Sequence, residues 1–127
     1  MILGIGTDIA ALARIASLHE RYGERFAQRI LSAGEMIEFN NHAHPARLLM
    51  KRFAAKEALS KALGTGLRHP VSMTNISVIH DELGKPAFEF SAQLIEYIEK
   101  IGIIRHHLSI SDERDMAVAF VILEGAN

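Results

Sequence analysis

Asp8 and Glu57 are the two carboxylates whose surroundings suit a hard metal ion, and Lys61 is the ammonium that would accompany them. Asp8 follows Gly4-Ile-Gly-Thr, where small neighbours leave a carboxylate open to a ligand. Glu57 and Lys61 are four residues apart in Arg52-Phe-Ala-Ala-Lys56-Glu57-Ala-Leu-Ser-Lys61-Ala, so a helix there presents an oxygen ligand and an ammonium one turn apart. Mg²⁺ typically takes one or two protein carboxylates and fills its shell with water and phosphate oxygens. The trio therefore fits a magnesium-bound diphosphate, and the backbone amides near Gly64-Thr-Gly66 could neutralise further phosphate charge, although this is not a Walker loop. Plainer roles exist for each carboxylate: Asp8 could N-cap a helix starting near Ala10, and Glu57 could form a surface pair with Lys61.

Arg14, Arg21 and Arg25 are spaced by seven and four, so on one continuous helix they would share a face, either solvated or docked on an acidic protein. Further basic residues gather at Arg47, Lys51, Arg52, Lys56 and Lys61. The net charge is only −1, which argues against a nucleic-acid binder and leaves local basic surfaces to steer acidic partners. With no cysteine, any metal must sit on oxygen or imidazole. The seven histidines, including His42, His44, His106 and His107, match no helical or finger-type zinc spacing. No apolar run approaches the roughly 20 residues of a membrane span, and the start of the chain lacks signal-peptide character, so a cytoplasmic protein is expected.

The elements that must position these groups can be placed by periodicity and punctuation. Residues 2–8 read as a short buried strand, with Asp8 at its end. Leu12, Ile15 and Leu18 have helical spacing over 11–22, and a second short helix fits 24–31. Ser32 and Glu35 have capping-box form and predict a helix over 33–40. Pro45 suits the first turn of a longer helix that runs to the stop at Gly64-Thr-Gly66, with Leu49, Phe53 and the alanines packed and Lys56 and Glu57 projecting to one side. Asn75–His80 and Ala87–Phe90 read as strands around the turn Asp81–Pro86. Ser91 caps a helix carrying Leu94, Ile95 and Ile98, and Gly102 ends it. His107–Ser111 and Met116–Leu123 then read as antiparallel strands around an acidic turn, Asp112–Asp115. The chain's 127 residues fit one domain, 1–127, of the α+β class, with helices packed on a mostly antiparallel sheet.

Taken in order, Gly4-Ile-Gly-Thr-Asp8-Ile, the Arg52–Ala62 segment, Gly64-Thr-Gly66, Asp81-Glu-Leu-Gly-Lys-Pro86 and His107-Leu-Ser-Ile-Ser-Asp112-Glu-Arg resemble the holo-acyl-carrier-protein synthase family, the small bacterial-type phosphopantetheinyl transferases. The resemblance covers nearly the whole chain. It implies transfer of the phosphopantetheine arm of coenzyme A to a serine of apo acyl carrier protein, releasing adenosine 3′,5′-bisphosphate, for fatty acid biosynthesis. It further implies Asp8 and Glu57 as Mg²⁺ ligands and Lys61 near the diphosphate. Arg52, Gly64 and His107 would contact coenzyme A, and Arg14, Arg21 and Arg25 would dock the acidic carrier protein. A homotrimer with active sites at subunit interfaces is implied as well.

Within that chemistry a carboxylate, directly or through water, would accept the serine proton, and Glu57 is the first candidate. Many relatives carry histidine where this chain has Asp112, which removes a histidine base there and leaves the role of Asp112 open. Two other classes fit parts of the pattern. One is a non-catalytic module that holds an acidic protein on its arginine face. The other is a magnesium-dependent diphosphate hydrolase, which would favour a denser glutamate array than this chain has.

Overall fold

Gly4 and Gly6 determine how closely the main helix can approach the sheet. In the computed structural model, which describes residues 1–127, a Cβ on Gly4 would lie 2.0 Å from the Ala62 carbonyl oxygen, and one on Gly6 would lie 2.0 Å from that of Ala58. Strand β1 (Ile2–Ala11) and helix α4 (Pro45–Leu63) therefore touch backbone to backbone. Ala54, Ala55, Ala58 and Ala62 supply the matching small residues on the helix, all buried. The glycines of this strand serve packing, because only hydrogen fits between strand and helix at these positions.

Strand β1 pairs antiparallel with β5 (Met116–Gly125), which pairs antiparallel with β4 (Ile103–Asp112), giving the order β1-β5-β4. Partners across the three strands, such as Asp8, Ala119 and Ile110, share a face. Gly4, Gly6, Asp8 and Ala10 alternate toward α4, while Ile5, Thr7 and Ile9 alternate away from it. A second sheet is the hairpin of β2 (Ile76–His80) and β3 (Pro86–Phe90), entered through a 3₁₀ turn, Met73–Asn75. Helices α1 (Leu12–Tyr22), α2 (Glu24–Ile30) and α3 (Ala33–Asn40) lead into α4, and α5 (Ala92–Lys100) precedes β4.

The architecture is α+β, as the order of patterns predicts. The Ser32–Glu35 capping box is present in both directions and starts α3 at Ala33. Strand lengths differ from expectation. Strand β1 runs on to Ala11 because Ile9, Ala10 and Ala11 pair with Val118, Ala117 and Met116. Strand β4 begins at Ile103, four residues before His107, through pairing with Gly125 and a bulge before Arg105. Arg105 and His106 hide the alternation that would have marked it in the sequence. Asp112 belongs to β4, so the turn is shorter than Asp112–Asp115. Gly23, at φ 62° and ψ −140°, breaks the first helical stretch in two.

Candidate active site

Asp8 is inside β1, three residues from its end, and caps no helix: α1 begins after Ala11, without a side-chain cap. Its carboxylate points toward α4, where Lys61 Nζ donates to Asp8 Oδ1 at 3.0 Å and to the Thr7 carbonyl at 3.1 Å. Lys61 is thus drawn to the strand instead of to Glu57, and the expected surface pair within the helix does not form. Glu57, half-buried on the same side, has its carboxyl pushed above the usual range, first by burial and then by the charge of Asp8. Lys61 and Arg14 oppose that push. Two carboxylates close enough to repel, with one cation between strand and helix, form a donor set that a divalent ion would relieve. Magnesium fits these residues because its remaining positions can be filled by water and phosphate oxygens.

Helix α4 carries its chemistry on two sides. Lys56, expected beside Glu57, instead points into the protein, fully buried. Its Nζ pairs with Glu35 and donates to the carbonyls of Ile30 at 2.7 Å and Met73 at 2.9 Å. Burial pushes the ammonium down to about 8, with the Glu35 charge only partly offsetting it. Arg52 lies in the same interior cluster, forked onto Glu38 at 3.0 and 3.1 Å, with its Nε 3.4 Å from Glu35. Arg52 is therefore not brought to Asp8 and Glu57 within this chain.

The other expected contacts fall in separate places. Gly64 ends α4 in the left-handed region, φ 75°, and borders a cleft of about 400 Å³ with Thr65, Arg68, His69 and Tyr97. His107 is on the sheet face opposite Asp8, where its Nε2 is 2.6 Å from Glu124 Oε2. Arg14 and Arg21 are on α1, whereas the break at Gly23 carries Arg25 onto α2. Arg25 lines a groove of about 780 Å³ together with Leu18, Phe26, Arg29, Phe53 and Met73. Asp112 is held by Arg47, whose Nη1 donates to Asp112 Oδ2 at 2.9 Å and whose guanidinium also donates to the carbonyls of Glu113 and Arg114. Asp112 thus shapes the β4–β5 turn.

Some juxtapositions at the site gave no sequence signal. Arg14 adds its charge to the Glu57 environment, which spacing along the chain could not have indicated. The groove's Phe53 and Met73 come from distant segments. Of the histidines, His106 packs half-buried against Phe88 and Phe90, and His44 donates its backbone amide to His42 Nδ1 at 2.9 Å.

Comparison with known proteins gives one consistent result. The model of the 4′-phosphopantetheinyl transferase superfamily matches residues 4–121. The holo-[acyl-carrier-protein] synthase of Nitrosospira multiformis is 58% identical over 124 residues, covering 98% of this chain and 99% of that protein. Among solved structures, the synthase of Neisseria meningitidis superposes with a TM-score of 0.95 at 51% identity, over 98% of this chain and 99% of that one. The Bacillus anthracis synthase, in complex with coenzyme A (3′,5′-ADP), gives 0.82 at 38% identity, with 99% of each chain covered.

Proposed function

The chain belongs to the 4′-phosphopantetheinyl transferase superfamily and transfers the phosphopantetheine arm of coenzyme A to apo acyl carrier protein; we propose that Asp8 and Glu57 hold the magnesium ion of that reaction. The observation that carries the proposal is the meeting of Asp8, Glu57 and Lys61, which the hydrogen-only contact of β1 with α4 makes possible. Magnesium would supply charge neutralisation on the diphosphate. Lys61, already oriented by Thr7 and Asp8, would turn its one remaining proton toward a phosphate oxygen. Glu57, directly or through a water, is the candidate to take the serine proton. Gly64 and the cleft beside it, with Arg68 and His69, would receive part of coenzyme A.

The carrier protein would dock on α1 and α2. Arg14, Arg21 and Arg25 offer positive charge, and the groove beside Arg25 offers apolar surface, the pairing expected for an acidic protein that also buries side chains. We further propose a homotrimer with shared sites. The sheet face turned away from α4 carries Ile5, Ile9, Val118 and Phe120 at 37–62% exposure, a patch that suits burial against other copies. His107 is on that face, away from Asp8, so it would serve a neighbour's site. Arg52, committed to Glu38 and Glu35, would reach coenzyme A only by exchanging those partners. One domain, 1–127, would carry the whole reaction in the cytoplasm in support of fatty acid biosynthesis; no helix is long and apolar enough to cross a membrane.

The test of the metal site is a Mg²⁺ titration followed by thermal unfolding. At a hundred times its Kd the ion stabilises a native site by about 2.7 kcal/mol, and this gain should vanish in Asp8→Asn. Equal stabilisation of both proteins would refute the assignment. Light scattering at micromolar concentration checks the trimer, which a monomeric mass would rule out.

A further inference from the structure

Lys56 has three protons and three acceptors: the Glu35 carboxylate and the carbonyls of Ile30 and Met73. Nothing is left for a substrate, and the residue is fully buried, so it takes no part in the chemistry. The two carbonyls are informative. Ile30 is the last residue of α2, and Met73 opens the 3₁₀ turn; both also line the groove beside Arg25. Phe53, one turn before Lys56, lines it too, and Glu57 is the next residue on α4. Glu35 ties the knot further, accepting from Ser32 N at 2.9 Å and from Val78 N at 2.9 Å. Ser32 Oγ, in turn, is 2.6 Å from Ser77 Oγ.

We propose that Lys56 and Glu35 are positioning residues for the carrier protein: their buried pair fixes two walls of the groove to α4, beside the metal ligand Glu57. The groove walls are separate segments, the end of α2, the 3₁₀ turn and α4, and side-chain packing alone would let them slide. A charged donor that reaches both carbonyls sets their spacing and their height along α4. A groove already held in its binding shape need not be ordered when the carrier protein docks, so the pair's effect falls on the KM for that partner. This rests on the docking reading given above.

The experiment replaces the pair with Lys56→Met and Glu35→Gln together, so that no buried charge is left alone, and measures steady-state kinetics against both substrates. KM for apo carrier protein should rise about fivefold or more, while KM for coenzyme A stays within about twofold and kcat within about threefold. An unchanged carrier KM, an equal rise in both KM values, or a loss confined to kcat would each overturn the proposal. Should the double variant fail to fold, Ser32→Ala loosens the same knot while keeping its charges, and a carrier-specific KM rise of about twofold is expected; no rise would overturn the proposal. Arg25→Glu run in parallel separates the two readings. A carrier KM raised by Arg25→Glu but not by the knot variants defeats the positioning role alone, whereas no effect of Arg25→Glu defeats the docking face itself, and the positioning role with it.

Discussion

Lys56 and Glu57 are neighbours on one helix, yet they belong to opposite kinds of ion cluster. On the interior side, Lys56, Glu35, Arg52 and Glu38 are linked to one another and to backbone carbonyls, and Lys56 is saturated. On the sheet side, the Glu57 carboxylate has no hydrogen-bond or ion-pair partner (only its backbone carbonyl accepts, from Ser60 Oγ), and Lys61, 53% exposed, uses only part of its donor capacity. Both clusters contain lysine and glutamate, so composition does not separate them. The difference is in unused valence: Lys56 and Glu35 have been filled by the fold, with Arg52 Nε the one buried donor of that cluster left without a hydrogen bond, whereas the sheet-side cluster leaves exposed charge and lone pairs unused.

That contrast can be broken most directly at Glu57. Glu57→Gln should lower kcat/KM by about 100-fold or more, since a metal site supplies several kcal/mol of transition-state stabilisation. The melting temperature should hold or rise, because Glu57 is repelled by Asp8. A fall in stability comparable to the loss of activity would place Glu57 with the structural cluster.

Glu35→Ala should behave the other way. Leaving the Lys56 charge buried without its carboxylate costs about 3–5 kcal/mol, to be read from urea unfolding at neutral pH. The surviving folded protein should keep its KM for coenzyme A. A loss under about 1 kcal/mol would mean that the pair adds little, as exposed pairs do.

Gly6→Ala probes the joint between the two clusters. A methyl group 2.0 Å from the Ala58 carbonyl must push α4 from β1, at about 1–3 kcal/mol for overpacking. Activity should fall with it, because Asp8 and Glu57 separate. A crystal structure of the variant with the two carboxylates unmoved would sever packing from site assembly.

The smallest expected effect is in the pH dependence of stability, where the adjacent residues contribute slopes of opposite sign. Glu57 holds its proton more tightly folded than unfolded, so the folded chain carries the extra proton just above pH 4.5 and stability falls as pH rises through that window. Lys56 releases its proton at about 8 when folded and at 10.5 when unfolded, so its contribution rises with pH between those values. Glu57→Gln should flatten the first slope only, and Lys56→Met with Glu35→Gln the second only, in urea titrations across pH. One variant flattening both slopes would show the clusters to be coupled.

Much of the fold was legible because the signals are local. Ser32 and Glu35 are three apart and cap one another, Pro45 and Gly64 bracket α4, and Ser91 accepts from Leu94 N to start α5. The strand ends were less so, since pairing with β5, and not the alternation of Arg105 or Ala11, decides where β4 begins and β1 stops. At the candidate site, Asp8, Glu57 and Lys61 were read together through the order of motifs. The side to which Lys56 turns could not be read, because Lys-Glu in a helix carries no mark of which residue faces the interior.

The sequence by itself determined the element order, the caps, the charged residues available and, through a whole-chain pattern of motifs, the family. Only the tertiary structure decided how those charges were shared out. Lys61 reaches 53 residues back along the chain to Asp8, and Lys56 reaches 21 back to Glu35. Pairings of that kind depend on which helix face a carbonyl-lined interior can hold and on how closely a glycine strand lets α4 approach. Charge is a property of a residue, but burial and partnership are properties of the packed chain, and these separate a structural ion cluster from a reactive one.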